Sequence, residues 1–378
     1  MKITFLGTHG QFNIGDELLL ETFLSQLGPQ HSYAVNSYDP AFTAGMLRPR
    51  FDVQAFHTTS ELPRFLKNLL SSDLLFFGGG SIIKELYASV GRNRYSTLLM
   101  ILASVTFTKL IARKKVFMSN IGVGPLLSPG GERLARLILN QVDFLSVRDQ
   151  KSYRTCQQLK INPQKLRLVP DAVFANPPEV FVPAPKAPFN DGRLHLALNL
   201  NYDIENRAAW QGFLTGLRGC LEQLNAQTPI TIHALPMQSK FKANDDLSIL
   251  KEFSTQLAGI PVVLHDPQSA QAAGEIIAQC DLVLAERLHT LVISTILGKP
   301  FFGLVYDVKV QELVDYLGMS AHSLNINQPF EASTLLQGVQ AVIKDREAIH
   351  QHLLTRGAEL RKELEEYFSE IRARISGQ

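Results

Sequence analysis

The chain has 378 residues, which at roughly 150 residues per domain gives two domains. Its formal net charge is +2, with 45% hydrophobic and 19% charged residues; that composition supports a large core and excludes a disordered chain. The near-neutral balance lacks the basic excess of a nucleic-acid binder. Three scattered cysteines, Cys156, Cys220 and Cys280, suit neither a disulfide framework nor a zinc site, so no metal and a cytoplasmic setting are expected.

The opening Met-Lys-Ile-Thr-Phe-Leu-Gly reads as a short strand ended by glycine rather than as a secretion signal. Apolar runs at 2–6, 74–77, 115–120, 144–147 and 166–169 read as strands, and 16–27, 60–70, 95–112 and 132–141 as helices. This alternation predicts a parallel sheet covered on both faces. The apolar stretch 98–112 is shorter than the roughly 20 residues of a membrane span and carries Lys109. It reads as a buried helix, with contact at a membrane surface as the rival reading because Arg113, Lys114 and Lys115 follow directly.

Five prolines between Pro177 and Pro188 mark a linker at 177–192. The pattern then restarts, with strands at 194–200, 230–234, 261–264, 282–285 and 301–305 and helices at 210–226, 247–257, 269–278, 290–297 and 310–317. The boundaries expected are 1–176, linker 177–192, 193–330 and a helical tail 331–378, whose Arg361, Lys362, Glu363, Glu365 and Glu366 form a solvated face.

Ligands of open parallel sheets bind at the carboxyl ends of strands, where several polar groups fall. Asn13-Ile14-Gly15-Asp16-Glu17 opens a helix after a long loop; Asn13 or Asp16 either caps that helix or lines a site. No Gly-Lys-Ser/Thr follows, so it is not a P-loop. Gly78-Gly79-Gly80 ends a buried strand and would let a ligand approach the backbone. Gly122-Val123-Gly124-Pro125 is either a structural turn or a second such approach. Arg148 either binds an anion or pairs with Asp149 or Asp171.

The sharpest cluster is Glu286-Arg287-Leu288-His289, between a strand and an apolar helix. Arginine offers a fork of donors to phosphate or carboxylate, and histidine moves protons near neutral pH. The plain alternative is an exposed Glu286–Arg287 ion pair. Tyr306 and Lys309 lie in the following loop and add to the same rim.

Taken in order, Asn13 to Glu17, Gly78 to Gly80, Gly122 to Pro125, Val147 to Ser152, Asp171, Arg287 to His289 and Tyr306 to Lys309 resemble the polysaccharide pyruvyl transferase family from Lys2 to about Gly318. The resemblance implies a glycosyltransferase-B-like fold, with two Rossmann-like α/β domains facing across a cleft, acceptor side first and donor side second. It also implies transfer of a pyruvyl ketal from phosphoenolpyruvate, a co-substrate with no further cofactor, to a sugar of an exopolysaccharide or cell-wall precursor. Such acceptors are often lipid-linked, which places the reaction at the inner face of the membrane.

On this reading His289 is the general acid, Arg287 holds the donor with Lys309, and Asp16 and Glu17 receive or orient the acceptor. Asn13, Gly15, Gly78, Gly79, Gly80, Arg148, Asp171, Glu286 and Tyr306 complete the expected substrate contacts. Asn201 stands where the family often has arginine, and Glu286 where an apolar residue is common, so both reduce positive charge. Two other readings stay open: a nucleotide-sugar glycosyltransferase of the same architecture, and a non-catalytic glycan- or anion-binding relative.

Overall fold

The computed structural model describes residues 1–86, 93–201, 207–241 and 244–377. The chain divides into two compact units. The first comprises Met1–Gln11, Asp16–Ala172 and Glu363–Gln378; the second comprises Phe12–Gly15 and Val173–Lys362.

The first unit holds seven strands: β1 (Lys2–Leu6), β2 (Ser32–Asn36), β3 (Asp52–Phe56), β4 (Leu74–Gly78), β5 (Lys115–Ile121), β6 (Phe144–Val147) and β7 (Leu166–Leu168). They lie in the order β3-β2-β1-β4-β5-β6-β7, and every pairing is parallel. Strands covered on both faces read as continuous apolar runs, as in the fully buried Leu-Leu-Phe-Phe-Gly of β4.

One face carries α3 (Leu62–Ser71), α4 (Ser96–Phe107), α5 (Pro129–Gln141) and α6 (Gln150–Gln158), enclosing Leu75, Phe77, Leu98, Val105, Met118 and Ile138. The segment expected as one helix to residue 112 is α4 followed by a π-helical turn, Thr108–Ala112, ended by Arg113 at φ 56°. The other face is aromatic: Phe5 stacks on Phe76 at 5.2 Å, and Phe23 meets both Phe76 and Phe368. Sequence periodicity missed β2, β3, α2 (Pro40–Leu47) and α6. Of these, β2 (Ser-Tyr-Ala-Val-Asn) and β3 (Asp-Val-Gln-Ala-Phe) are bounded or interrupted by polar residues and lack the continuous apolar run of β4.

The second unit repeats the plan with β8 (Leu194–Asn199), β9 (Ile230–Ala234), β10 (Val262–Leu264), β11 (Leu282–Ala285), β12 (Phe301–Val305) and β13 (Ser323–Asn325). These six strands run parallel in the order β10-β9-β8-β11-β12-β13. The helices are α7 (Arg207–Gln227), α8 (Asp246–Ser254), α9 (Ala270–Gln279), α10 (Leu288–Ile296), α11 (Val308–Tyr316) and α12 (Ala332–Lys344).

The proline-rich segment is laid onto this unit. Phe181 is buried against Gly274, where a Cβ would overlap it, and the Phe189 N–H donates to the Gln279 carbonyl at 3.1 Å. The tail is not a separate body. Its last helix, α13 (Arg346–Ser376), contributes residues to 362 to the second unit and those from 363 to the first. Buried Leu353, Leu360, Leu364, Phe368 and Ile371 line its inner face.

Strand order reverses at β1/β4 in one sheet and at β8/β11 in the other. Connections diverge there, which opens a crevice beyond the strand ends.

Asn120 staples the end of β5. It sits at φ 58°, a conformation asparagine tolerates better than most residues, where the β5–β6 register shifts. Its amide donates to the Pro170 carbonyl at 2.6 Å, and its side-chain oxygen accepts from Ala172 N–H at 2.9 Å. Losing two buried bonds and straining the backbone, Asn120→Ala should cost about 3 kcal/mol in urea denaturation. Asn120→Gly, which loses the same two bonds without straining the backbone, should cost less.

Candidate active site

In the second unit the ends of β8, β9 and β11 meet. Residues 12–15 lie beside the loop after β9: Ile14 N–H donates to Met237 at 2.9 Å, and Asn13 forms an isolated antiparallel bridge with Gln238. The Asn13 side-chain oxygen accepts from Gly15 N–H at 3.0 Å, so Asn13 shapes the turn. A Cβ on Gly15 would overlap the His289 imidazole. Two motifs some 270 residues apart in sequence therefore form one locus, and glycine is required because the ring occupies the space of a side chain.

His289 lies in the first turn of α10 and Arg287 at its N-cap. Residues two apart do not share a helix face, but at a helix entrance both can serve one site. Seven successive residues of α10, Thr290 to Ile296, are buried, which fixes the helix under His289.

Arg287 is clamped rather than exposed. Its Nη2 and Nε donate to Asp246 at 2.6 and 3.1 Å, and Nη2 also reaches the Gln238 side-chain oxygen at 3.0 Å. The side chains of Arg287 and Asp246 are 14% and 1% exposed. Asn199, fully buried at the end of β8, accepts from Arg287 N–H at 2.9 Å and donates to the Leu235 carbonyl at 3.0 Å. The exposed Glu286–Arg287 pair weighed above does not form: Glu286 is fully buried and accepts from Asn201 N–H at 3.2 Å.

Tyr306 follows β12, and Lys309 pairs with Asp307 at 3.0 Å. Asp246, Gln238 and Asn199 were not read from the sequence. The Asp245-Asp246 doublet opening α8 was their one visible trace, and Asp245 is spent capping that helix through Ser248 N–H.

In the first unit the motif residues mostly build loops. A Cβ on Gly78 would overlap Phe5, while Gly79 and Gly80 sit at φ 66° and 74°, which glycine alone adopts freely. Arg148 pairs with Asp171 at 2.9 Å, side chains 8% and 5% exposed, so of its open alternatives the ion pair forms. Asp149 caps α6, and the Ser152 hydroxyl accepts from Val123 N–H at 2.8 Å, which ties down the Gly122–Pro125 loop. A cavity of about 240 Å³ lies beside that loop, lined by Gly124, Pro125, Glu132 and Lys151.

Asp16 lies in the first turn of α1 (Ile14–Leu27). Glu17 turns inward and accepts from Gly10 N–H at 2.6 Å. Burial raises its carboxyl to about 8 against the Gly10 bond, and the Asp16 charge adds to the rise. Burial lowers His9 in the same loop to about 3, opposed by the Asp16 main chain.

The family model for polysaccharide pyruvyl transferase matches residues 13–308. The chain belongs to this family. No curated protein matches it. Among solved structures, HepE of Anabaena in complex with UDP shares 13% identity at TM-score 0.64, over 100% of this chain and 99% of that one. A glycosyltransferase of Rickettsia africae gives 13% and 0.64 over 99% and 98%. The UDP-GlcNAc 2-epimerase of Neisseria meningitidis, bound to UDP-GlcNAc, gives 12% and 0.60 over 96% and 99%. These likenesses establish a glycosyltransferase-B-like fold; the family makes the chain a transferase of polysaccharide biosynthesis.

Two outcomes follow. Gly15→Ala should displace the His289 ring and remove activity while the melting temperature falls little. Glu17, whose folded value of about 8 exceeds its ordinary 4.5, favours the folded state at low pH and loses that contribution as pH rises through 8. His9, with a folded value of about 3 against 6.5, acts oppositely: its contribution is present above 6.5 and is lost as pH falls toward 3. Between pH 6.5 and 8 the Glu17 effect stands apart from that of His9, so Glu17→Gln should flatten the decline in stability measured by denaturant titration there.

Proposed function

We propose that the protein transfers a pyruvyl group from phosphoenolpyruvate to two hydroxyls of a polysaccharide-precursor sugar, forming a cyclic ketal. The observation that carries this reading is the His289 ring seated over Gly15 beside Arg287, in a chain of this family. His289 gives a proton to the methylene carbon of the enol phosphate, which becomes a methyl group. The cationic carbon left behind takes the first sugar hydroxyl, whose proton leaves to a base. Phosphate departs with the C–O electron pair, and a second hydroxyl closes the ring with loss of its own proton.

Arg287, already matched by Asp246, orients the helix entrance and holds the donor carboxylate or phosphate. Lys309 adds a second cation once it leaves Asp307. Asp16 serves the acceptor hydroxyl, and no cofactor beyond phosphoenolpyruvate is needed.

A second reading, a nucleotide-sugar glycosyltransferase, is favoured by one local feature. Asn201 stands where the family often has arginine and Glu286 where an apolar residue is common, which suits a hydroxyl-rich ligand better than a trianion. HepE and the Neisseria epimerase, of similar fold, carry UDP and UDP-GlcNAc.

Incubation with phosphoenolpyruvate and a panel of synthetic and lipid-linked glycosides, followed by mass spectrometry, should show addition of a pyruvyl group. Absence of that product, together with thermal stabilisation by a UDP-sugar and none by phosphoenolpyruvate, selects the second reading. In the transfer assay His289→Ala should lower turnover by about 10²–10⁴-fold while calorimetry still finds phosphoenolpyruvate bound. Arg287→Ala should weaken that binding itself.

A further inference from the structure

The outer surface of the α3–α4–α5 layer is apolar and basic. On α3, Leu62, Leu66 and Leu70 recur every four residues and are 51%, 37% and 50% exposed, although Phe65 and Leu69 of the same helix are buried. Residues four apart form one stripe of a helix, so α3 has a second apolar face turned to solvent. The π turn beside it exposes Leu110 and Ile111 by 68% and 63%, more than any other large hydrophobic side chain among the described residues. Leu99 and Met100 on α4 and Leu137 on the adjoining α5 are also exposed.

Single exposed leucines are ordinary; a grouping of this kind marks an interaction surface. The charge around it is mainly basic. Lys67, Arg113, Lys114, Arg133 and Arg136 belong to these elements and the residues directly after the π turn. Glu132 is the one acidic residue within α3, α4, the π turn and α5; at their ends Glu61 pairs with Arg64 and Asp143 with Lys109, which still leaves the named basic residues in excess. For a chain with a net charge of +2, that is a strong local excess.

We propose that this surface docks on an anionic lipid bilayer, with the Leu110–Ile111 tip and the α3 stripe entering the headgroup boundary and the basic side chains meeting lipid phosphates. Apolar residues flanked by Lys and Arg are the pattern of elements that lie in the membrane interface. No helix among the described residues is long and apolar enough to cross a membrane, so the contact is in-plane. The basic rim selects a bilayer over a second copy of the chain, whose identical rim would repel it.

Flotation of the full chain with vesicles tests this. Vesicles of phosphatidylcholine with phosphatidylglycerol should carry the protein upward, and phosphatidylcholine alone should not. Each basic residue near an anionic surface is worth roughly fivefold in partitioning, so Arg113→Glu with Lys114→Glu should reduce flotation by more than about tenfold, as should raised salt. Leu110→Glu with Ile111→Glu, at positions exposed enough to tolerate charge, should abolish it with the melting temperature unchanged. The proposal is overturned by absence of flotation, by equal flotation on neutral vesicles, by indifference to both double variants, or by a dimer in sedimentation velocity that the Leu110 and Ile111 changes dissolve.

Discussion

Asp246 is 1% exposed, and a carboxylate at that depth persists only if donors replace the water it has lost. Arg287 supplies two, and the main-chain N–H of Met237 supplies another at 3.1 Å. Through these bonds α8, the loop after β9 and the entrance of α10 are held to one another. Asn199 adds β8 by bonding Arg287 and Leu235. The strand ends at the topological switch point thus have little freedom to shift independently. His289 inherits its position from this arrangement, because it follows Arg287 by two residues on a helix buried almost throughout. Removing either partner of the pair would leave a charge in a dry site, a cost of about 3–5 kcal/mol in comparable cases.

The same logic organises the first unit. Arg148 and Asp171 neutralise one another where β6 and β7 end, Asn120 binds across to residues 170 and 172, and Ser152 holds the loop at Val123. Side chains that resemble ligand-binding residues in sequence here pair with one another or satisfy the main chain of long loops. Loops at strand ends cannot use sheet hydrogen bonds, so each buried N–H and C=O needs another partner. A sequence with many polar residues just past its strands therefore signals elaborate loops as strongly as it signals a ligand.

This explains which elements show in the sequence alone. The buried strands β1, β4, β5, β8, β11 and β12 stood out because parallel strands between helices are continuously apolar. Short outer strands such as β2, and β13 with Ser323-Leu324-Asn325, carry no such run. The cluster at 286–289 drew notice because an arginine and a histidine stand together at a helix entrance. That Glu286 points inward, or that Arg287 is bound by a residue 41 positions away, depends on tertiary neighbours with no local trace. Gly15 is the instructive case: in the sequence it stood only as an expected substrate contact, whereas the space its side chain would need is filled by an imidazole arriving from residue 289.

The charge arrangement bears on how the proposed reaction would start. Asp246 pairs with Arg287 and Glu286 adds no cation, so the proposed locus has little positive charge of its own to offer phosphoenolpyruvate. An anion beside an imidazole favours its protonated form. Donor entry would then draw a proton onto His289, supplying at once the missing cation and the acid that the methylene carbon requires. A permanently charged arginine cannot do this. On this reading, an arginine at position 201 would tighten donor binding but weaken the coupling between binding and protonation.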